Sequence, residues 1–274
     1  MEQFTQDEIR LLNEVLPKLA MQLRGSMGNI HTALTQLVTP QGRESNADVD
    51  CCAAVLYQSY YRLMRVINNL SAAPMLLEDT LFIKRNLDLP LRLREMCRMA
   101  ADMAQIAGIT VECDVQGEHH IVSVHQEYFE RMVWNLLSNA IKFTPKGGHV
   151  QVSLSWNGKN VFLRVQDSGC GISAQDMESV YERYCHAELS APVPYGFGLG
   201  LPLCRNIAQR HGGTILLSST VGEGTTVTVS VPDERSMADQ IEQPRVDYTG
   251  GFSREMVELS DALPYRAFVQ KFLD

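Results

Sequence analysis

The stretch Asn135-Leu136-Leu137-Ser138-Asn139-Ala140-Ile141-Lys142-Phe143-Thr144-Pro145 sets two asparagines about one helical turn apart on one face, with Lys142 on the neighbouring ridge. Amide oxygens are hard ligands suited to Mg²⁺, and an ammonium complements phosphate, so the trio fits a metal-bound polyphosphate. The apolar residues between them can face a core. Taken alone, the spacing fits a solvated helix face equally well. Three further blocks accompany it. Asp167-Ser168-Gly169-Cys170-Gly171-Ile172 follows the strand-like run Val161-Phe162-Leu163-Arg164-Val165. Gly196-Phe197-Gly198-Leu199-Gly200-Leu201 opens a helical pattern that closes at His211-Gly212-Gly213. Gly222-Glu223-Gly224-Thr225-Thr226 leads into an alternating strand ended by Pro232. The GxGxG spacing differs from the dinucleotide fingerprint GxGxxG, and no strand runs directly into it.

In this order and with these gaps, the four blocks resemble the ATP-binding domain of sensor histidine kinases, which is shared with gyrase, the heat-shock chaperone ATPases and MutL-type repair proteins. The resemblance covers roughly residues 81–232, and it implies ATP and Mg²⁺ as cofactors. Asn139 then ligates the metal, Asn135 contacts the phosphate chain, Lys142 neutralises it, and Phe143 lies near the ribose and base. Asp167 accepts a hydrogen bond from the adenine amino group and so selects against guanine. Gly169 and Gly171 let the backbone turn close to the base, and Thr226 supports the same contact. Gly196, Gly198 and Gly200 present backbone N–H groups to the phosphates, and the helix opening at Leu201 adds its positive dipole end. Residues 173–195 form a lid, beginning with a capped helix at Ser173. Asn135 stands where the hydrolysing relatives carry the glutamate that activates water. An amide cannot act as a general base, so fast ATP hydrolysis is not expected. Kinases of this family hold ATP until an acceptor arrives in line.

The elements that must position these groups are legible in the hydrophobic pattern. Ile9, Leu12, Leu16, Leu19, Leu23, Met27, Ile30, Leu34 and Leu37 recur three and four apart, a helical seam that Pro17 should kink. Thr39-Pro40-Gln41-Gly42 stops it. Val49, Cys52, Leu56, Ser59, Leu63, Val66, Leu70 and Ala73 form a second seam. One hairpin cannot bury both seams, so pairing through residues 6–75 into a homodimeric four-helix bundle is expected. In histidine kinases this hairpin carries the phosphoacceptor, in a motif close to Ser-His-Glu-Leu-Arg-Thr-Pro. Ala20-Met21-Gln22-Leu23-Arg24-Gly25-Ser26 is the best match. Leu23 and Arg24 remain, but Met21 replaces the acceptor histidine and Gln22 the adjoining acid. Position 21 lies off the seam and should be exposed, yet a thioether forms no phosphoramidate. His31, the other histidine of the hairpin, is the alternative acceptor or an ordinary helix-surface residue.

From residue 81 the pattern alternates: a short strand at 81–85, a helix at 89–107, strands at 109–115 and 121–124, and the helix at 125–143. Strands at 149–156, 161–167, 214–220 and 225–231 follow. The expected fold is α+β. A two-helix hairpin (1–80) precedes an α/β-sandwich ATP-binding domain (81–232), whose mixed sheet is covered by helices on one face. A linker and tail follow (233–274), whose last apolar residues dock on this chain or on a partner.

The 274 residues carry 24 basic and 32 acidic side chains, a net charge of −8, which argues against nucleic acid or an anionic membrane as partner. Seven cysteines without CxxC spacing fit reduced thiols. No apolar run approaches the roughly 20 residues that span a bilayer, and no signal peptide is read, so a cytoplasmic chain is expected. The functional expectation is an ATP-binding, histidine-kinase-like protein of two-component signalling. A response regulator or phosphotransfer protein is its expected partner, and an ATP-sensing pseudokinase is the alternative.

Overall fold

The computed structural model describes Asp7 and residues 10–72, 82–180, 200–237 and 253–269. They divide into two compact units. The chain before Phe82 joins residues from Pro264 onward in the first, and Phe82–Leu263 make the second.

In the first unit a π-helical turn at Leu11–Val15 leads into α1 (Leu16–Leu37). Pro17 falls in the first turn of α1 rather than in the middle of a regular helix. There its missing N–H costs nothing, and the wider π turn ahead of it takes up the misfit expected as a kink. The segment after Thr39 is itself a short helix, α2 (Pro40–Ser45), and not a plain loop: the Thr39 hydroxyl caps it by accepting from Gly42 N at 3.2 Å. Asn46 caps α3 (Ala47–Ser71) by accepting from Asp48 N and Val49 N. Within the hairpin the two helices meet through Ala20, Met27, Ala53, Ala54, Tyr57, Tyr60, Met64 and Ile67, all buried. Most of the two seams lies outside that contact. Leu19, Leu23, Ile30, Leu37, Leu56 and Leu63 are exposed, from 45% for Leu19 to 82% for Leu37.

The end of the tail docks on the hairpin of its own chain. Phe268, in a 3₁₀ turn (Tyr265–Phe268), is fully buried with its ring 5.6 Å from that of Tyr61. Its carbonyl accepts from Arg43 Nη2 at 2.6 Å, and Arg43 also pairs with Asp50 at 2.7 Å.

The second unit holds a five-stranded mixed sheet in the order β2-β4-β5-β7-β6. Its strands are β2 (Thr110–Val115), β4 (His149–Trp156), β5 (Asn160–Asp167), β6 (Thr214–Thr220) and β7 (Gly224–Pro232). β2 runs parallel to β4, and the other neighbours are antiparallel. Val150, Val152, Leu154, Leu163, Val165, Val227 and Val229 alternate onto the buried face. That face is covered by α4 (Leu89–Ile106), α5 (Gln126–Phe143) and α7 (Gly200–Arg210). A small antiparallel pair, β1 (Arg85–Asp88) with β3 (Ile121–Val124), stands apart. The strand expected at 81–85 therefore lies at 85–88. Phe82, instead of entering a ladder, stacks on Tyr128 at 5.7 Å and meets His211 edge-on at 4.8 Å.

Residues beyond 232 also belong to this unit, which their acidic, polar composition did not suggest. Asn86 exchanges two hydrogen bonds with the backbone of Ser236, and Glu234 O accepts from Ser123 N. The short helix α8 (Arg254–Leu259) buries Met256, Val257 and Leu259. Its Arg254 reaches the buried Glu130 carboxylate at 2.6 Å, which also pairs with Arg92 at 2.7 Å. Two guanidiniums hold this carboxyl below its ordinary value against the opposing effect of burial. Among the described residues no helix is long and apolar enough to cross a membrane.

Candidate nucleotide-binding site

The site is built where α5 ends, β5 ends and α7 begins. Asn135 is 2% exposed. Its Nδ2 donates back to Arg131 O at 3.0 Å, which fixes the amide plane and turns Oδ1 away from the helix. Asn139, one turn on, is half-buried on the same face. Gly200, at the start of α7, lies against this pair: a Cβ on it would come within 3.5 Å of Asn135 Oδ1 and 3.8 Å of Asn139 Nδ2. The structure thus brings the first N–H-bearing turn of α7 to two amide side chains more than sixty positions earlier in the chain. Leu201 and Pro202 form that turn, where proline's missing N–H costs nothing. Lys142 lies over the exposed ring of Phe143, 5.2 Å from its centroid. Gly196 and Gly198, and residues 181–195 of the expected lid, lie outside the described residues. Of the expected lid, α6 (Ala174–Ser179) is present, with Ser173 capping Asp176 N at 3.1 Å.

Asp167 closes β5. Its Oδ1 accepts from Gly169 N at 2.9 Å and Thr225 N at 3.2 Å. Among the described residues Oδ2 has no partner, so one carboxylate oxygen remains for an incoming donor. Burial pushes the carboxyl above its ordinary value, and the two backbone N–H groups oppose that shift. Gly169 has no room for a side chain: a Cβ would sit 2.5 Å from Phe143 O and 2.7 Å from Asp167 Oδ1. Its absence lets the Asp167 turn press onto the end of α5, where Phe143 O accepts from Cys170 N. Gly171 adopts φ +69° and packs equally closely on Thr220 O.

Thr226 does not sit beside Asp167. The register pairs it with Gln166, whereas Thr225 pairs with Asp167. The physical reason is the two-residue period of a strand: Val227, Val229 and Val231 face the core, so Thr225 shares their face and Thr226 points to the other. Thr225 Oγ1 bonds Ser219 Oγ at 2.8 Å, and Ser219 accepts from Ile172 N at 2.8 Å. Ser219 and Thr225 therefore brace the Asp167 turn. For Thr225 the signal was present in the valine alternation; for Ser219 there was none.

The residues present fit a magnesium-bound nucleoside triphosphate. An amide pair faces a helix N-terminus, a cation stands on the next ridge, and a carboxylate oxygen waits at the other end. Among the described residues no cluster of histidine, cysteine and acidic groups forms a competing metal site.

Residues 124–235 match the family described as histidine kinase-, DNA gyrase B-, and HSP90-like ATPase. They form a domain of that family. Among curated proteins, sensor histidine kinase WalK of Bacillus subtilis (strain 168) is 34% identical over 121 residues, 43% of this chain and 20% of that protein. Adaptive-response sensory kinase SasA of Gloeothece citriformis (strain PCC 7424) is 26% identical over 238 residues, 82% of this chain and 59% of that protein. The chain thus spans only part of the length of these relatives. Among solved structures, full-length ShkA in complex with AMPPNP shares the fold, with a TM-score of 0.57 at 21% identity over 77% of this chain and 45% of that one. The histidine-kinase-like ATPase domain therefore contains both the amide pair and the Asp167 turn.

In the first unit, Met21 is 74% exposed, as expected of position 21. The His31 ring lies 5.4 Å from Tyr60 and 6.4 Å from Tyr57, and burial lowers its pKa.

Proposed function

We propose that this chain binds ATP with Mg²⁺ in the histidine-kinase-like ATPase domain and holds it for phosphotransfer in two-component signalling, without phosphorylating position 21 of its own hairpin. The observation that carries the reading is Gly200 set against the Asn135–Asn139 amide pair, with Asp167 Oδ2 at the far end of the same site. Asn139 ligates the metal, and Asn135 and Lys142 meet the phosphates. The first N–H groups of α7 receive negative charge. Mg²⁺, when bound, would offset the negative charge of the phosphates. Asp167 orients adenine through its free oxygen, and Thr225 and Ser219 keep that turn in place. With Asn135 in the position of a general base, the site shelters the triphosphate from rapid hydrolysis.

The exposed aliphatic residues of the hairpin support a homodimer: Leu19, Leu23, Ile30, Leu56 and Leu63 would be covered by the same surface of a second copy. Partners of the response-regulator or phosphotransfer class follow from the family of the domain, and the reading places the chain in the cytoplasm. Met21 at the acceptor position favours a second reading, an ATP-sensing pseudokinase that docks a partner without phosphotransfer.

Intact-mass spectrometry after incubation with Mg²⁺ and ATP, natively and then denatured at neutral pH, tests this. ATP retained natively with no covalent phosphoryl group is the expected result. Adding candidate partner proteins then separates transfer in trans from pseudokinase behaviour. An acid-labile phosphoryl group on the chain would make His31 the first residue to replace. Loss of ATP from the native complex at saturating concentration would refute the site.

A further inference from the structure

Two thiols outside the nucleotide site lie on the facing surfaces of α4 and β2. Cys97 lies on the sheet-facing side of α4, beside Met96 and Ala100, and is 3% exposed. Cys113 lies on β2, which among the described residues has a ladder partner on one side alone. The register pairs Val111, Cys113 and Val115 with Val150, Val152 and Leu154, so Cys113 belongs to the core-facing row under α4. Its place at the sheet margin nevertheless leaves it exposed. Ala104 O, near the end of α4, accepts from Ile109 N just before β2, while Arg94 near its start reaches the carbonyls just after β2, so α4 runs back along the strand and sets Cys97 opposite Cys113. Arg94, one turn before Cys97, is held over the same margin by the carbonyls of Gly117 and Glu118.

We propose that Cys97 and Cys113 form a redox-active dithiol that a hydroperoxide converts into a disulfide, tying α4 to the marginal strand β2. Cys113 is the attacking sulfur, because it is the exposed member of the pair. The hydrogen bond from Cys97 holds its thiol below the ordinary value, and Arg94 acts in the same direction. The Cys97 thiol is pushed up by that same hydrogen bond and by burial, so it stays protonated as donor until its turn.

In the first step the Cys113 thiolate attacks the outer oxygen of ROOH. An S–O bond forms, the O–O bond breaks, and the departing alkoxide takes up the proton that Cys113 released, giving ROH and Cys113–SOH. In the second step Cys97 sulfur attacks the Cys113 sulfur. The S–S bond forms, the S–O bond breaks, and the departing hydroxide takes the Cys97 proton as water. Two electrons pass from the sulfurs to the peroxide. Side-chain rotation has to bring the sulfurs to the bond length of about 2.05 Å. The other described cysteines offer no such arrangement: Cys51, Cys52 and Cys170 are exposed, and Cys204 is buried with its thiol on Met132 O.

The test uses the full chain treated with hydrogen peroxide, alkylated and digested without reduction. Trypsin cuts after Arg98, so Cys97 and Cys113 fall on different peptides unless bonded. The expected result is a linked pair of these peptides, lighter by two hydrogen atoms than the separate thiols and separated again by dithiothreitol. Cys113→Ser should abolish the link. Cys97→Ala should leave a sulfenic acid on Cys113 that dimedone traps. The proposal is overturned if Cys97 and Cys113 stay alkylatable under peroxide that oxidises Cys51 or Cys52. It is equally overturned if dimedone labels Cys113 in the parent chain with no link to Cys97.

Discussion

Replacing Asp167 by asparagine tests the base recognition proposed for it separately from folding. The asparagine Oδ1 can still accept from Gly169 N and Thr225 N, at the 2.9 and 3.2 Å seen for the aspartate, so the turn is retained. The change falls on Oδ2, which becomes an N–H₂ donor facing the adenine amino group. Losing a hydrogen bond to a charged acceptor costs about 1.5–3 kcal/mol, and opposing two donors costs about 1–3 kcal/mol more. Even the lower ends together predict a loss of ATP affinity of more than tenfold, since each tenfold is about 1.4 kcal/mol. Guanine presents an oxygen at that edge, which the new amide can satisfy, so the preference for ATP over GTP should shrink or invert. Calorimetric titration of parent and variant with both nucleotides and Mg²⁺ reads this directly, and urea unfolding confirms that the fold is kept. Acidification gives a second signature. In the proposed role the ionised carboxylate is the acceptor, and burial raises its pKa, so parent affinity should fall with decreasing pH from a point above the ordinary value of about 3.9. The asparagine variant should lack that fall. Unchanged ATP affinity in a folded variant, or equal ATP and GTP binding by the parent, would refute the role given to Asp167.

Two further outcomes are expected. His211 is 1% exposed and burial lowers its pKa to about 4, with Lys84, His125 and Arg210 nearby adding to the shift. The unfolded chain, with a value near 6.5, binds the proton more tightly, so this contribution is complete above about pH 6.5 and is lost as pH falls towards 4. The amount approaches about 3 kcal/mol, and urea midpoints across that range should show a shallower slope for His211→Asn. The hairpin should pair two chains, so light scattering should give a dimer mass. Leu23→Glu with Leu63→Glu, each removing a leucine whose full burial is worth about 1.5–3 kcal/mol, should return it to that of one chain.

The chemistry-bearing groups and the element types were legible without coordinates, because both depend on spacing along one segment. Asn135 and Asn139 share a face by helical period, and the sheet strands announce themselves by alternating valines. Met21 was expected to be exposed, and it is. Where several segments compete for one place, local pattern fell short. The run at 81–85 looks like a strand, but Phe82 gains more by stacking among Tyr128, His125 and His211, and the ladder begins at Arg85. Residues 233–237 look like linker, yet Asn86 pairs with their backbone.

By itself the sequence determined that an amide pair, a carboxylate turn and a glycine-opened helix exist, and that two helices carry more apolar surface than one hairpin can bury. The tertiary structure alone decided which of these groups meet. It set Gly200 on the amide pair, chose Thr225 over Thr226 beside Asp167, folded Phe268 back onto Tyr61, and laid the helix of Cys97 along the strand of Cys113. Periodicity is a property of one segment, whereas register and packing depend on which distant surfaces exclude water together.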